Sequence, residues 1–118
     1  MQVTEKKNKT LPIDCKHFID GQYIPSFNQK TFLNINPATE EVLGSVSEGG
    51  ELEIDLAVKA AKRALKGEWK QFTSNQRAAV LRKIGDGILA RKEEIAALEA
   101  MDTGKPYELA LEVDITRS

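Results

Sequence analysis

Asp102-Thr103-Gly104-Lys105-Pro106 interrupts an otherwise helix-favouring run, and its residue types admit three chemistries. Asp-Thr-Gly is the catalytic loop of an aspartic protease, where two carboxylates share one proton. Gly-Lys closes a phosphate-binding loop, whose backbone N–H groups cradle the ligand. The third parsing is a plain junction between two helices.

The first two fail on local context. A protease loop follows an apolar strand, whereas "AALEAM" before Asp102 favours helix, and Asp-Thr-Gly occurs once. A phosphate loop needs glycine five residues before Gly-Lys and a hydroxyl after it, where this chain has Glu99 and Pro106. The junction needs nothing special: Gly104 takes a left-handed conformation that closes one helix, and Pro106 suits the first position of the next. Asp102 alone is left over, because a negative charge in the last turn opposes the helix dipole. It therefore needs a compensating partner, either a salt bridge or a bound cation.

Cys15 and His17, the only residues of their types, invite a nucleophile-and-base reading. Two residues apart near an exposed hairpin edge, with no third group to orient the base, they read as structural. One cysteine also excludes an intrachain disulfide and any CxxC metal pair.

The elements that position these groups change character along the chain. "HFIDGQYIP" alternates apolar and polar about Asp20-Gly21 and predicts a hairpin on a type I′ turn. "TFLNINPATEEVLGSVS" predicts a second, wider hairpin, with Phe32 and Ile35 before Pro37-Ala38-Thr39 and with Val42 and Val46 after it. From Glu51 the period becomes helical: Ile54, Ala57, Val58, Ala61, Ala64 and Leu65 form one stripe, acids lead, bases follow, and Gly67 is expected as the stop. Thr73 with Gln76 predicts a capping box ahead of a second stripe, Val80, Leu81, Ile84, Ile88 and Leu89. Trp69 and Phe72 are expected as wedges between helices. A break near Arg91-Lys92 precedes a third helix that carries Ile95, Leu98 and Met101 inward.

The 118 residues suit one domain, and 41% hydrophobic with 30% charged residues argues against disorder. A net charge of −1 gives no field that favours nucleic acid or an anionic membrane, so neither is an expected partner. The first ten residues are polar and lysine-rich, unlike a secretory signal or an anchor, and the expected location is cytoplasmic.

Four stretches in order, "FIDGQYIP", "INPATEEVLGSVSEG", "AVKAAKRAL…W" and "LEAMDTGKPYELALEVDITRS", resemble the opening of an NAD(P)-dependent aldehyde dehydrogenase. The resemblance runs from about His17 to Ser118, leaving 1–16 as an expected flexible tail. It implies an α/β fold: N-terminal β-hairpins plus packing helices of the cofactor-binding domain, incomplete in this chain. It also implies that the cysteine nucleophile, its oxyanion donors, the glutamate base and the NAD or NADP cradle lie beyond Ser118. No catalytic or cofactor-binding residue transfers to this chain, which is expected to be inactive alone.

One site does carry over by resemblance: a monovalent cation, Na+ or K+, held by the carbonyl of Ile35 and by Asp102, with a third ligand from further along. The ending "DITRS" resembles enzymes that oxidise 2-hydroxymuconic and 2-aminomuconic semialdehydes. The family further implies a small aldehyde substrate and a homodimer or homotetramer, and the uncovered stripes predict self-association of the chain alone. The segment after Pro106 shows Leu109, Ala110 and Val113 at helical spacing without a closing signal, as expected of a chain cut within an element. The alternative is a stand-alone, non-catalytic helical module that binds a partner through those stripes.

Overall fold

A computed structural model describes residues 11–117. Two short antiparallel hairpins come first: β1 (His17–Ile19) with β2 (Gln22–Ile24), then β3 (Thr31–Ile35) with β4 (Val42–Ser47). Asp20 and Gly21 take φ of 54° and 78°, the pair of positive angles a type I′ turn demands, and Phe18 stacks across the strands on Tyr23 at 4.9 Å. The wider turn is an Asx turn. Asn36 Oδ1 accepts from Ala38 N at 2.9 Å, and the chain closes through Glu40 N to Asn36 O at 2.8 Å.

Of the expected tail, residues 1–10 lie outside the described residues. Ile13 and Cys15 are laid against β4, where their N–H groups donate to Leu43 O and Ser45 O at 2.8 and 2.7 Å, and Cys15 O accepts from Ser47 N. Asp14 Oδ1 accepts from both Ser45 N and Ser45 Oγ. A third, parallel segment thus borders the second hairpin.

The helices are α1 (Glu51–Ala64), α2 (Glu68–Gln71), α3 (Ser74–Ala90), α4 (Lys92–Thr103) and α5 (Tyr107–Leu109), the last running into a π-helical stretch, Ala110–Ile115. The capping box is formed: Thr73 Oγ1 accepts from Gln76 N, and Gln76 Oε1 accepts from Thr73 N at 2.8 Å. The break falls at Arg91, whose φ of −117° ends α3 and starts α4. Gly67 is not a left-handed stop; with φ −90° it is the extended residue that launches α2. Trp69 is not wedged between helices either. It is 39% exposed, beside Phe72 and under the Arg77 guanidinium.

Burial concentrates on one side. α4 packs on the π-helical stretch, with Ala96 and Ala110 fully buried, and Leu43 of β4 is the other buried apolar residue among those described. The apolar stripe of α1 is left largely exposed. The side of α1 turned to the hairpins carries Glu53, Leu56, Ala60 and Arg63, and Arg63 Nη2 pairs with Asp20 at 2.7 Å. Leu56 is 37% exposed, against 64%, 45% and 66% for Ile54, Val58 and Leu65. The radius of gyration, 17.7 Å, exceeds the roughly 13.5 Å of a compact chain this long.

Candidate functional site

The Asp-Thr-Gly-Lys-Pro junction sits where α4 meets the second hairpin. Thr103 Oγ1 bonds back to Glu99 O at 2.7 Å, and Gly104 turns left-handed with φ 74°, as the junction reading requires. Pro106 takes the N-cap of α5, one position earlier than expected. The orphan charge of Asp102 finds its partner across the chain: Asn34 Nδ2 of β3 donates to Asp102 Oδ1 at 2.7 Å. That partner is a neutral amide, which sequence reasoning missed because nothing local links positions 34 and 102.

Asn34 immediately precedes Ile35, so this amide ties Asp102 to the strand that carries Ile35, the other residue expected at the cation site. Their donors are hard oxygens, a carboxylate and a main-chain carbonyl, which suit an alkali or alkaline-earth cation rather than a transition metal. Two oxygen donors alone are too few for such an ion. Among the described residues no cluster of three or more His, Cys, Asp or Glu side chains could hold a metal.

Beside this contact lies an open, mostly apolar groove of about 350 Å³ between the 13–15 segment, the second hairpin and α4. Ile13, Leu43, Ile95, Leu98 and Met101 line it, with Cys15, Glu99 and Asp102 at its polar margin. Cys15 and His17 do not pair: His17 Nε2 lies 3.3 Å from Ser26 Oγ, while Cys15 is exposed and bridged to β4. On the far side of the junction, Lys105 Nζ meets Asp114 at 2.6 Å and Glu99 at 3.7 Å. The Asp114 hydrogen bond holds the Lys105 ammonium above its ordinary range, with the charges of Asp114 and Glu99 adding to it.

A second polar node, also not foreseen, anchors α1. Glu53 is 6% exposed; its Oε1 accepts from Phe27 N at 2.6 Å and its Oε2 from Gly50 N at 2.8 Å. Ser26, fully buried, donates to Glu48 O at 2.6 Å. The Phe27 N–H first, then Glu53's own N–H and that of Gly50, hold the Glu53 carboxyl below its ordinary 4.5. A depressed folded value means the contribution is complete above the unfolded value and is lost as pH falls through the folded one. Glu53→Gln keeps one acceptor oxygen but turns an NH2 group toward the other N–H. The variant is therefore expected to melt below wild type near neutral pH, with the gap closing below about pH 4. A gap constant from neutral pH to about pH 3 would refute the carboxylate's role.

Two hairpins feeding a run of helices, with a left-handed Gly-Lys junction docked on the second hairpin, define an α/β arrangement in which the described residues assemble no catalytic constellation. The aldehyde dehydrogenase family pattern matches residues 23–118, and the chain belongs to that family. It is 44% identical over 104 residues to 2-hydroxymuconic semialdehyde dehydrogenase of Pseudomonas sp. (strain CF600), covering 88% of this chain and 21% of that one. It is also 44% identical over 111 residues to aldehyde dehydrogenase 1 of Tanacetum cinerariifolium, covering 91% and 22%. Among solved structures, the NAD+ complex of aldehyde dehydrogenase from Bacillus cereus matches with TM-score 0.85 and 46% identity, over 88% of this chain and 21% of that one. The chain thus spans about a fifth of the length of the relatives it matches. None of its described helices is long and apolar enough to cross a membrane.

Proposed function

We propose that this chain is the amino-terminal portion of an NAD(P)-dependent aldehyde dehydrogenase, which oxidises an aldehyde or semialdehyde to the carboxylate as the dinucleotide accepts hydride. Its part is structural: the hairpins and helices frame the cofactor-binding domain, while nucleophile, base and dinucleotide cradle come from the rest of the enzyme. The observation that carries this reading is the joint likeness of fold and sequence to the Bacillus cereus enzyme. Under it, the enzyme is a cytoplasmic homodimer or homotetramer acting on a small aldehyde. A semialdehyde from aromatic ring cleavage is favoured by the "DITRS" ending and by two Pseudomonas 2-hydroxymuconic semialdehyde dehydrogenases at 44% and 45% identity. Ile35 and Asp102 are proposed ligands of a Na+ or K+ ion whose further ligands come from the remainder; its charge would offset an acidic residue at the end of α4.

The test is a chimaera in which residues 23–118 replace the matched segment of the Bacillus cereus enzyme. It is expected to reduce NAD+ with an aldehyde to within about tenfold of the parent, whereas the chain alone gives no NADH. A folded chimaera that binds NAD+ but is inactive would sink the reading, as would turnover by the chain alone. In the active chimaera, Asp102→Ala should abolish any rise in thermal midpoint on titrating Na+ or K+; equal responses with and without the carboxylate would refute the ligand role.

A further inference from the structure

Past the Gly104 junction the chain enters a helix that is not α throughout, because from Ala110 to Ile115 it widens into a π-helix. Such a turn spans one residue more than an α-turn and is rare, so contacts must hold it open. The residue pattern offers no local reason for it. Ala110 and Val113 are three apart, the spacing of an α-helical stripe, yet Ala110 is fully buried while Val113 is 37% exposed. Asp114 and Ile115 are turned half inward instead.

Apolar burial does not decide between the two registers. In an unbroken α-helix the residues after Ala110 would turn by up to about 100°, bringing Val113 inward and carrying Ile115 out. Valine for isoleucine on the inner face is close to a volume-neutral exchange. What the α register gives up is polar. Lys105 Nζ, one residue past the junction glycine, meets Asp114 Oδ2 at 2.6 Å, with Glu99 of α4 at 3.7 Å. The Lys105 and Asp114 side chains are 33% and 30% exposed, so their pair is partly withdrawn from water. At the far end Thr116 closes the wide turn: its N–H donates to Leu111 O at 3.3 Å, and its hydroxyl to the same oxygen at 2.6 Å.

We infer that Lys105 is the latch of a two-register helix: its ion pair with Asp114 holds Ala110–Ile115 in the π register, and without that pair the stretch falls into the α register, Val113 inward and Ile115 outward. The Asp-Thr-Gly-Lys junction thereby sets the rotation of the helix that leaves it. Lys105 positions that helix and takes no part in chemistry.

The experiment reads which carbonyl accepts the Thr116 N–H, by through-hydrogen-bond NMR coupling in the isotope-labelled chain. In the wild type the coupling is expected to Leu111. In Lys105→Met it should be lost and replaced by a coupling to Glu112, the α-helical acceptor. Lys105→Arg keeps a cation opposite Asp114 and should retain the Leu111 coupling, which loss of side-chain packing alone would not explain. Should Lys105→Met fail to fold, Asp114→Ala removes the same pair from the other side and should give the same change. Crystal structures of the chimaera with these substitutions give a second reading of the register, whether or not it turns over. A Leu111 acceptor that persists without the pair would overturn the inference, as would a Glu112 acceptor in the wild type.

Discussion

Replacing Gly44 with alanine is expected to strip the 13–15 segment from the second hairpin. Gly44 sits in β4 at φ 157°, and a Cβ there would fall inside the van der Waals envelope of the Ile13 carbonyl and 2.8 Å from Ile13 N. Backbone, not a flexible side-chain end, is what it meets, so the segment must move. With it go the bonds from Ile13 N to Leu43 O, from Cys15 N to Ser45 O and from Ser47 N to Cys15 O. At about 0.5–1.5 kcal/mol each, three such bonds amount to about 2–4 kcal/mol. That corresponds to a fall of about 10 °C in thermal midpoint for a chain of this size. Amide exchange at Ile13 and Cys15 should accelerate at the same time. Unchanged exchange at those two amides would show that the segment does not lie against β4.

Gly104→Ala is the second large effect, and it has two separable causes. A left-handed alanine costs about 1–2 kcal/mol. The added Cβ would also stand 2.9 Å from Pro37 Cγ, so the Asx turn of the second hairpin must yield. We expect about 2–3 kcal/mol in total, measured by denaturant unfolding. Combining it with Pro37→Ala removes the overlap and should recover the steric part, leaving the backbone part. Strict additivity of the two substitutions would mean that the junction and the turn are not in contact. The pair matters because the same junction carries Asp102 to Asn34.

Much of the local structure was legible in the residues themselves. The Asp20-Gly21 turn, the Thr73–Gln76 box, the break at Arg91 and the left-handed Gly104 each depend on backbone chemistry within a few positions. The α/β character, hairpins followed by helices, stood on the same ground. Gly67 was misjudged because a glycine after a basic helix end suits either a left-handed stop or the cap of another helix. Glu53 gave no sign of its buried role: an acid in a first turn is what the dipole alone would select.

Residue order by itself therefore determined the Asp20-Gly21 turn, the Thr73 cap, the break at Arg91 and the left-handed Gly104, and the family to which the chain belongs. Only the tertiary structure decided that Asn34 answers Asp102 from 68 positions away and that Glu53 ties Phe27 to α1. It also decided that the stronger stripe of α1 turns away from the hairpins. The physical reason is range. Torsional preferences and capping bonds act over three or four residues, whereas the side of a helix that becomes buried depends on which distant surface returns to meet it.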